Sequence, residues 1–151
     1  MQKFKFKLDG LLKVREFKEK KVKIELGEIL REINDVENKI ALANQAISET
    51  YDAQEAFMQD STSSGQMLQF FPLFIQGKKE DIKNKENLLW ALKKKYDKKI
   101  AELATARGEV KVMENFKDKK KVEWTKEKNK KEQEGIEEIL MMRTNGSKGS
   151  M

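Results

Sequence analysis

The chain has 151 residues, 38% of them charged and 38% hydrophobic, with one proline, no cysteine, no histidine and a formal net charge of +6. The missing thiol and imidazole groups exclude Cys- or His-ligated metal sites, His-dependent triads, cysteine nucleophiles and disulfides. Ala, Glu, Lys, Leu and Arg supply 73 residues, and that stock, with a single proline, points to an all-α chain of long coiled-coil helices.

The lysine-rich opening from Met1 to Lys7 leads into an amphipathic stretch, and no apolar run approaches the roughly 18 residues needed to cross a bilayer, so the sequence reads as cytoplasmic. A heptad frame set on Leu26 places Leu26, Ile33, Ile40 and Ile47 at one core position and Ile29, Val36, Ala43 and Phe57 at the other, with Thr50 and Gln54 as polar exceptions. Carried backward, the frame meets Leu8, Leu12 and Val22 and is interrupted by Arg15 and Glu19. It predicts a first helix over about residues 5–60, ~80 Å long at 1.5 Å per residue.

Helical patterning stops at Asp60-Ser-Thr-Ser-Ser-Gly65, a cluster of turn and cap residues. A second frame then places Ile82, Leu89, Tyr96, Leu103 and Val110 seven apart, with Lys85, Leu92, Lys99, Ala106 and Met113 as companions. It predicts a bend over about residues 60–72 and a second helix over about 66–142, with Pro72 confined to its first turn. Gly77, Gly108 and Gly135 weaken that helix by up to ~1 kcal/mol each relative to Ala. Residues 144–151 are small and polar and read as a disordered tail, leaving residues 1–143 as one hairpin domain.

Neither stripe stays wet over such lengths, so the expected fold is a long antiparallel two-helix coiled coil, an α-hairpin, with self-association as the alternative. A bend near residues 62–65 brings Ile47 near Ile82, Ile40 near Leu89, Ile33 near Tyr96 and Leu26 near Leu103. Charge supports the pairing independently, because residues 25–60 carry nine acids against two bases while residues 78–131 carry nineteen bases against ten acids. Such pairs select orientation more than they stabilise. Residues 3–23, with nine bases and three acids, would lie beside the basic stretch 107–126 and form a cationic open end.

Three features exceed what a thin hairpin requires. Met67, Leu68, Phe70, Phe71, Leu73, Phe74 and Ile75 crowd around Pro72; they read either as a cap folded over Tyr51, Phe57 and Met58 or as an apolar patch offered to a partner. Residues beyond about 124 have nothing left to pair with, yet Ile136, Ile139, Leu140, Met141 and Met142 cluster at helical spacing, either as a frayed end or as a groove-binding helix. Lysine outnumbers arginine 28 to 4, which suits a solvated coiled-coil face better than the Arg-rich or aromatic-interleaved surface of a nucleic-acid binder. With no phosphate-cradling glycine loop and no visible pocket for carboxylates, the sequence gives no catalytic residue, cofactor site, small-molecule substrate or specific nucleic-acid site.

The opening Phe4-Lys-Phe-Lys-Leu-Asp-Gly-Leu-Leu-Lys-Val-Arg15-Glu, together with the length, the hairpin pattern and Phe74-Ile75-Gln76 at the start of the second helix, resembles the FliJ family of the flagellar type III export apparatus. That resemblance implies a non-enzymatic coiled-coil stalk, similar to the rotary ATPase gamma subunit. Such a stalk inserts into the export ATPase hexamer (FliI-like), contacts the export gate protein (FlhA-like) and export chaperones, and is peripheral to the cytoplasmic membrane at the flagellar base. On this sequence it matches Tyr51 and Ile40 to gate contacts of the bend region, to which the position of Ile47 and the local cluster of Phe70, Phe71 and Phe74 are added; the like-charge crowding of the basic open end assigns the ring contact to Lys13, Arg15, Lys20 and Lys120. The overhang at Ile136, Ile139 and Leu140 stays unassigned. The chain departs from the family pattern at Ile47, in place of a tyrosine, and at Lys78, in place of a leucine, which implies a contact shifted toward the phenylalanine cluster. The competing class is a basic coiled-coil protein that binds nucleic acid or an anionic membrane.

Overall fold

Both apolar stripes find each other. The computed structural model describes residues 2–60 and 65–149, and two helices account for them: α1, Asp9–Met58, of 50 residues, and α2, Gly65–Gly149, of 85 residues. They pack against one another as an antiparallel α-hairpin, with no strand among the described residues. Of the bend expected over about residues 60–72, residues 61–64 lie outside the described ones and residues 65–72 are already helical. The chain divides into two compact units, one of residues 20–104 and one of residues 1–19 with 105–151.

In the unit of residues 20–104 the core is the seam that the heptads trace. Ile29, Ile33, Val36 and Leu92 form a buried cluster, and Ile40, Leu89 and Tyr96 pack against it from half-buried positions. Val22, Ala43, Ile75, Ile82 and Leu103 are also buried. The polar companion positions are satisfied at the seam edge: Lys99 Nζ donates to Glu25 at 2.5 Å and to Glu102 at 2.9 Å, and Lys85 to Asp81. Lys93 pairs with Glu37 at 3.7 Å. Thr50 returns its hydroxyl to the Ala46 carbonyl at 2.6 Å, so this polar residue in a core position leaves no unmet donor.

In the unit of residues 1–19 and 105–151 a smaller cluster of Leu12, Val110 and Met113 is buried, with Phe6 packed on it. Arg15 and Glu19, which interrupt the sequence frame, are cross-helix contacts. Arg15 Nη1 donates to the Glu109 carbonyl at 3.4 Å, and Glu19 pairs with Arg107 at 3.4 Å.

Three local features differ from the sequence expectation. The first helix begins at Asp9 rather than near residue 5, and residues 2–6 have no regular structure. In a helix Phe4 and Phe6 would point some 200° apart; outside it both rings reach α2, Phe4 against Trp124 at 5.9 Å between centroids and Phe6 against Phe116 at 5.8 Å. Asp9 then stands in the first turn, where a carboxylate suits the helix dipole. Pro72 lies inside α2 rather than in its first turn, because the helix already begins at Gly65; its exposed ring replaces one helical N–H. Finally α2 runs through residues 144–149 instead of ending near 142. No proline stops it, and Thr144 back-bonds to the Leu140 carbonyl at 2.9 Å.

The seam sets the expected response to truncation. Ile33, 6% exposed, should lose about 2–4 kcal/mol on Ile33→Ala, whereas Ile40→Ala, at a half-buried position, should lose roughly half as much. Urea denaturation of the two variants measures the order, which reverses if Ile40 is the better packed.

The Glu25–Lys99 pair adds a pH dependence. The hydrogen bond from Lys99 holds the Glu25 carboxyl below its usual value, and the bond to Glu25, aided by Glu102, raises Lys99 above its own. A depressed carboxyl contributes stability above its unfolded pKa, about 4.3, and loses it as pH falls through the folded value; a raised ammonium contributes below about 10.4 and loses it as pH rises through the folded value. Lys99→Met should therefore flatten both the acid and the alkaline edge of melting temperature against pH, as thermal melts across that range measure.

Candidate functional site

In the unit of residues 20–104, the aromatic residues beside the chain reversal form a row of ring contacts, Phe57 to Phe71 to Phe70 to Phe74, with Phe70 meeting Phe71 edge-on at 6.1 Å. Phe71 is half-buried and packs on Phe57 with centroids 5.6 Å apart, whereas Phe70 is 57% exposed and stacks on Phe74 at 5.9 Å. Ala46, Glu49, Thr50 and Ala53 of α1 join Phe70, Phe71 and Phe74 around a cavity of about 250 Å³. Tyr51 is exposed, and its hydroxyl accepts from Lys79 Nζ at 3.5 Å. Lys78, the departure noted in the sequence, lies over the Phe74 ring at 5.6 Å. Ile40 and Ile47 are half-buried, and Ile40 belongs to the seam. The structure thus brings Phe70, Phe71 and Phe74 together beside α1 and keeps Ile40 among the packing residues.

Met58, Met67 and Leu73 also lie exposed near the reversal; Met67 and Leu73 belong to the apolar run around Pro72, and Met58 is the last residue of α1. Trp90 has no such signal. It is 63% exposed, with Lys94 Nζ 3.9 Å from its ring centroid, and it falls outside both heptad frames.

In the unit of residues 1–19 and 105–151, the segment before α1 lies along α2 and encloses a cavity of about 580 Å³ lined by Phe4, Phe6, Leu8, Phe116 and Trp124, with Lys5, Lys7 and Lys120 among the polar residues and Glu123 and Glu127 the acids. Two acids of this unit hold lysines: Asp9 pairs with Lys117 and Lys13 at 3.4 Å each, and Glu109 with Lys18 at 4.0 Å. Partial burial opposes ionisation of Asp9, but hydrogen bonds from Lys117 and Lys13 outweigh it and lower its pKa. Lys120 reaches Glu123 at 3.5 Å and lies over the Phe116 ring at 5.5 Å. Of the four basic residues expected to act together, Lys13, Arg15 and Lys120 belong to this unit and Lys20 to the other. Arg15 is half-buried with its guanidinium turned to the α2 backbone. Ile136, Ile139 and Leu140 are each more than half exposed on α2.

These surfaces suit binding. Both cavities have aromatic and aliphatic walls, and among the described residues no cluster of carboxylates could hold a metal ion.

The packing at the reversal separates two neighbouring phenylalanines. Phe71→Ser should lower stability by about 1–2 kcal/mol, below the full-burial range because the ring is only half covered, while Phe70→Ser should change it by less than about 0.5 kcal/mol. Thermal melts of the two single variants check this, and equal losses would contradict it.

Comparison with curated proteins and with solved structures gives no significant match. A family model described as flagellar FliJ protein matches residues 4–149, a span that contains both helices and the aromatic contacts of Phe4 and Phe6. With nearly its whole length inside that match, the chain belongs to the FliJ family of flagellar protein export components.

Proposed function

We propose that the protein is a non-enzymatic stalk and adaptor of the flagellar type III export apparatus, cytoplasmic and peripheral to the membrane at the flagellar base. Its basic unit enters the ring of a FliI-like export ATPase hexamer, the residues around the reversal meet an FlhA-like export gate, and export chaperones dock on the same hairpin. The observation that carries this reading is the surplus of exposed apolar and aromatic surface at the reversal, Phe70, Leu73, Met58 and Met67 beside Tyr51 and Phe74, on a seam already filled by its own helices. In the basic unit, Lys3, Lys5, Lys7, Lys119 and Lys121 form no ion pair among the described residues, which favours an anionic partner. Inside a symmetric ring an asymmetric hairpin contacts each subunit differently, and that difference biases the subunits among their conformational states.

Nucleic acid or anionic membrane is the weaker reading. Base stacking needs free aromatic faces, and Trp90, Phe116 and Trp124 each carry a lysine over the ring at 3.9, 5.5 and 5.3 Å.

Binding of the full chain to purified export ATPase, to the gate's cytoplasmic domain, to RNA and to anionic vesicles tests the reading. Lys13→Glu with Lys120→Glu should slow association with the ATPase about tenfold at low salt and flatten its salt dependence. Tyr51→Ala with Phe74→Ala should weaken only the gate. Unchanged association of the first variant, or tighter binding to RNA or vesicles than to either protein, would overturn it.

A further inference from the structure

The unit of residues 1–19 and 105–151 presents two surfaces that complement each other but do not meet within one chain. The first is the cavity of about 580 Å³ between the N-terminal segment and α2, walled by Phe4, Phe6, Phe116 and Trp124, with Lys5, Lys7 and Lys120 outnumbering Glu123 and Glu127 at its edge. Lys119 and Lys121, which flank that edge, are exposed. The second is the part of α2 beyond Trp124, the last ring that the N-terminal segment covers. There Ile136, Ile139, Leu140 and Met142 are 59%, 56%, 55% and 72% exposed. Glu132, Glu134, Glu137 and Glu138 lie among them, with no base between Lys131 and Arg143.

A run of aliphatic residues on a helix with nothing packed against it calls for cover. Its own cavity is out of reach. Ile136 follows Trp124 on the same continuous helix, which at 1.5 Å per residue puts it about 18 Å further along. Four carboxylates also argue against an anionic lipid surface or a nucleic acid as the cover. The partner must be basic and apolar together, and the cavity edge of another copy is both.

We propose that two copies of this chain pair through these surfaces, the C-terminal extension of each α2 lying antiparallel along the cavity and lysine edge of the other. A twofold axis beside Asn129 gives the register. To within about one turn it sets Glu137 and Glu138 of one copy beside Lys121 and Lys120 of the other, Glu132 beside Lys126, and Met142 beside Phe116. The contact is isologous, so each pairing occurs twice and the assembly closes at two chains. The lysines that it covers include Lys120, so the paired form and any anionic partner of that edge compete. The inference stands apart from the stalk reading, since its readout is the mass of the purified protein alone.

Sedimentation equilibrium of the full chain, from roughly 1 to 100 μM, the range in which weak, wet interfaces assemble, should show the weight-average mass rising from 17.6 kDa toward twice that value. Glu137→Lys with Glu138→Lys should hold the protein monomeric, as should Lys120→Glu with Lys121→Glu, each with unchanged helical circular dichroism because all four side chains are exposed. An equimolar mixture of the two double variants restores opposite charge at both contacts and should recover the dimer. A monomer at every concentration overturns the proposal. So does a dimer that neither variant disturbs, or a mixture that stays monomeric after each variant alone has dissociated.

Discussion

A pair of helices has no third layer, so each can bury only the stripe that faces its neighbour. Everything else follows from that constraint. The buried residues form one row per helix, Ile29, Ile33 and Val36 against Leu92 in one unit and Leu12 against Val110 and Met113 in the other. Large apolar side chains off those rows stay in water, Phe17 at 70%, Leu73 at 73% and Trp90 at 63% exposed. In a globular domain such exposure would mark a packing failure. Here the fold has no further surface with which to cover them.

Because the seam is narrow, its register is set largely by the polar groups at its edges. Glu25 to Lys99 and Glu37 to Lys93 tie α1 to α2 in one unit, and Asp9 to Lys117 and Glu19 to Arg107 do so in the other. Exposed pairs of this kind contribute at most about 1 kcal/mol each. Their value lies in discrimination, since a slip of one heptad would put the basic α2 opposite the wrong residues of α1 while leaving apolar residues opposite apolar ones. The α1 acids and α2 bases thus select among alignments that the hydrophobic pattern alone would leave nearly equivalent.

The seam was legible in the sequence because heptad spacing is a direct image of helical geometry: Ile33, Ile40, Leu89 and Tyr96 meet as the frame implies. Arg15 and Glu19 were legible as residues but not in their role. A frame counts them as interruptions, whereas their partners Glu109 and Arg107 lie some ninety residues away in sequence. The heptad frame extends the first helix into the N-terminal segment, whereas the alternation of Phe4, Phe6 and Leu8 has the period of extended chain, and α1 begins only at Asp9. At the reversal, pattern could gather Phe70 and Phe71 but could not separate them, because a single step of about 100° along α2 divides the ring that meets Phe57 from the ring that faces solvent.

One feature of α2 links its lean core to the kind of partner it suits. Phe74, Trp90, Phe116 and Trp124 each have a lysine four residues on, Lys78, Lys94, Lys120 and Lys128, with the ammonium 3.9 to 5.6 Å from the ring centroid. On a helix that spacing lays the aliphatic stem across the ring and the charge over its face, an interaction of about 0.5–1 kcal/mol at an exposed site. In the free chain the stem hides part of an aromatic surface that no core can take in. A carboxylate that draws the ammonium aside uncovers the ring at little expense, since one weak contact is exchanged for an ion pair. A partner without negative charge leaves the lysine in place and meets a cation instead of an apolar face. The spacing of two residue types along one helix thus makes these four rings easier for an acidic apolar surface to uncover than for a neutral one, by about the strength of that one weak contact.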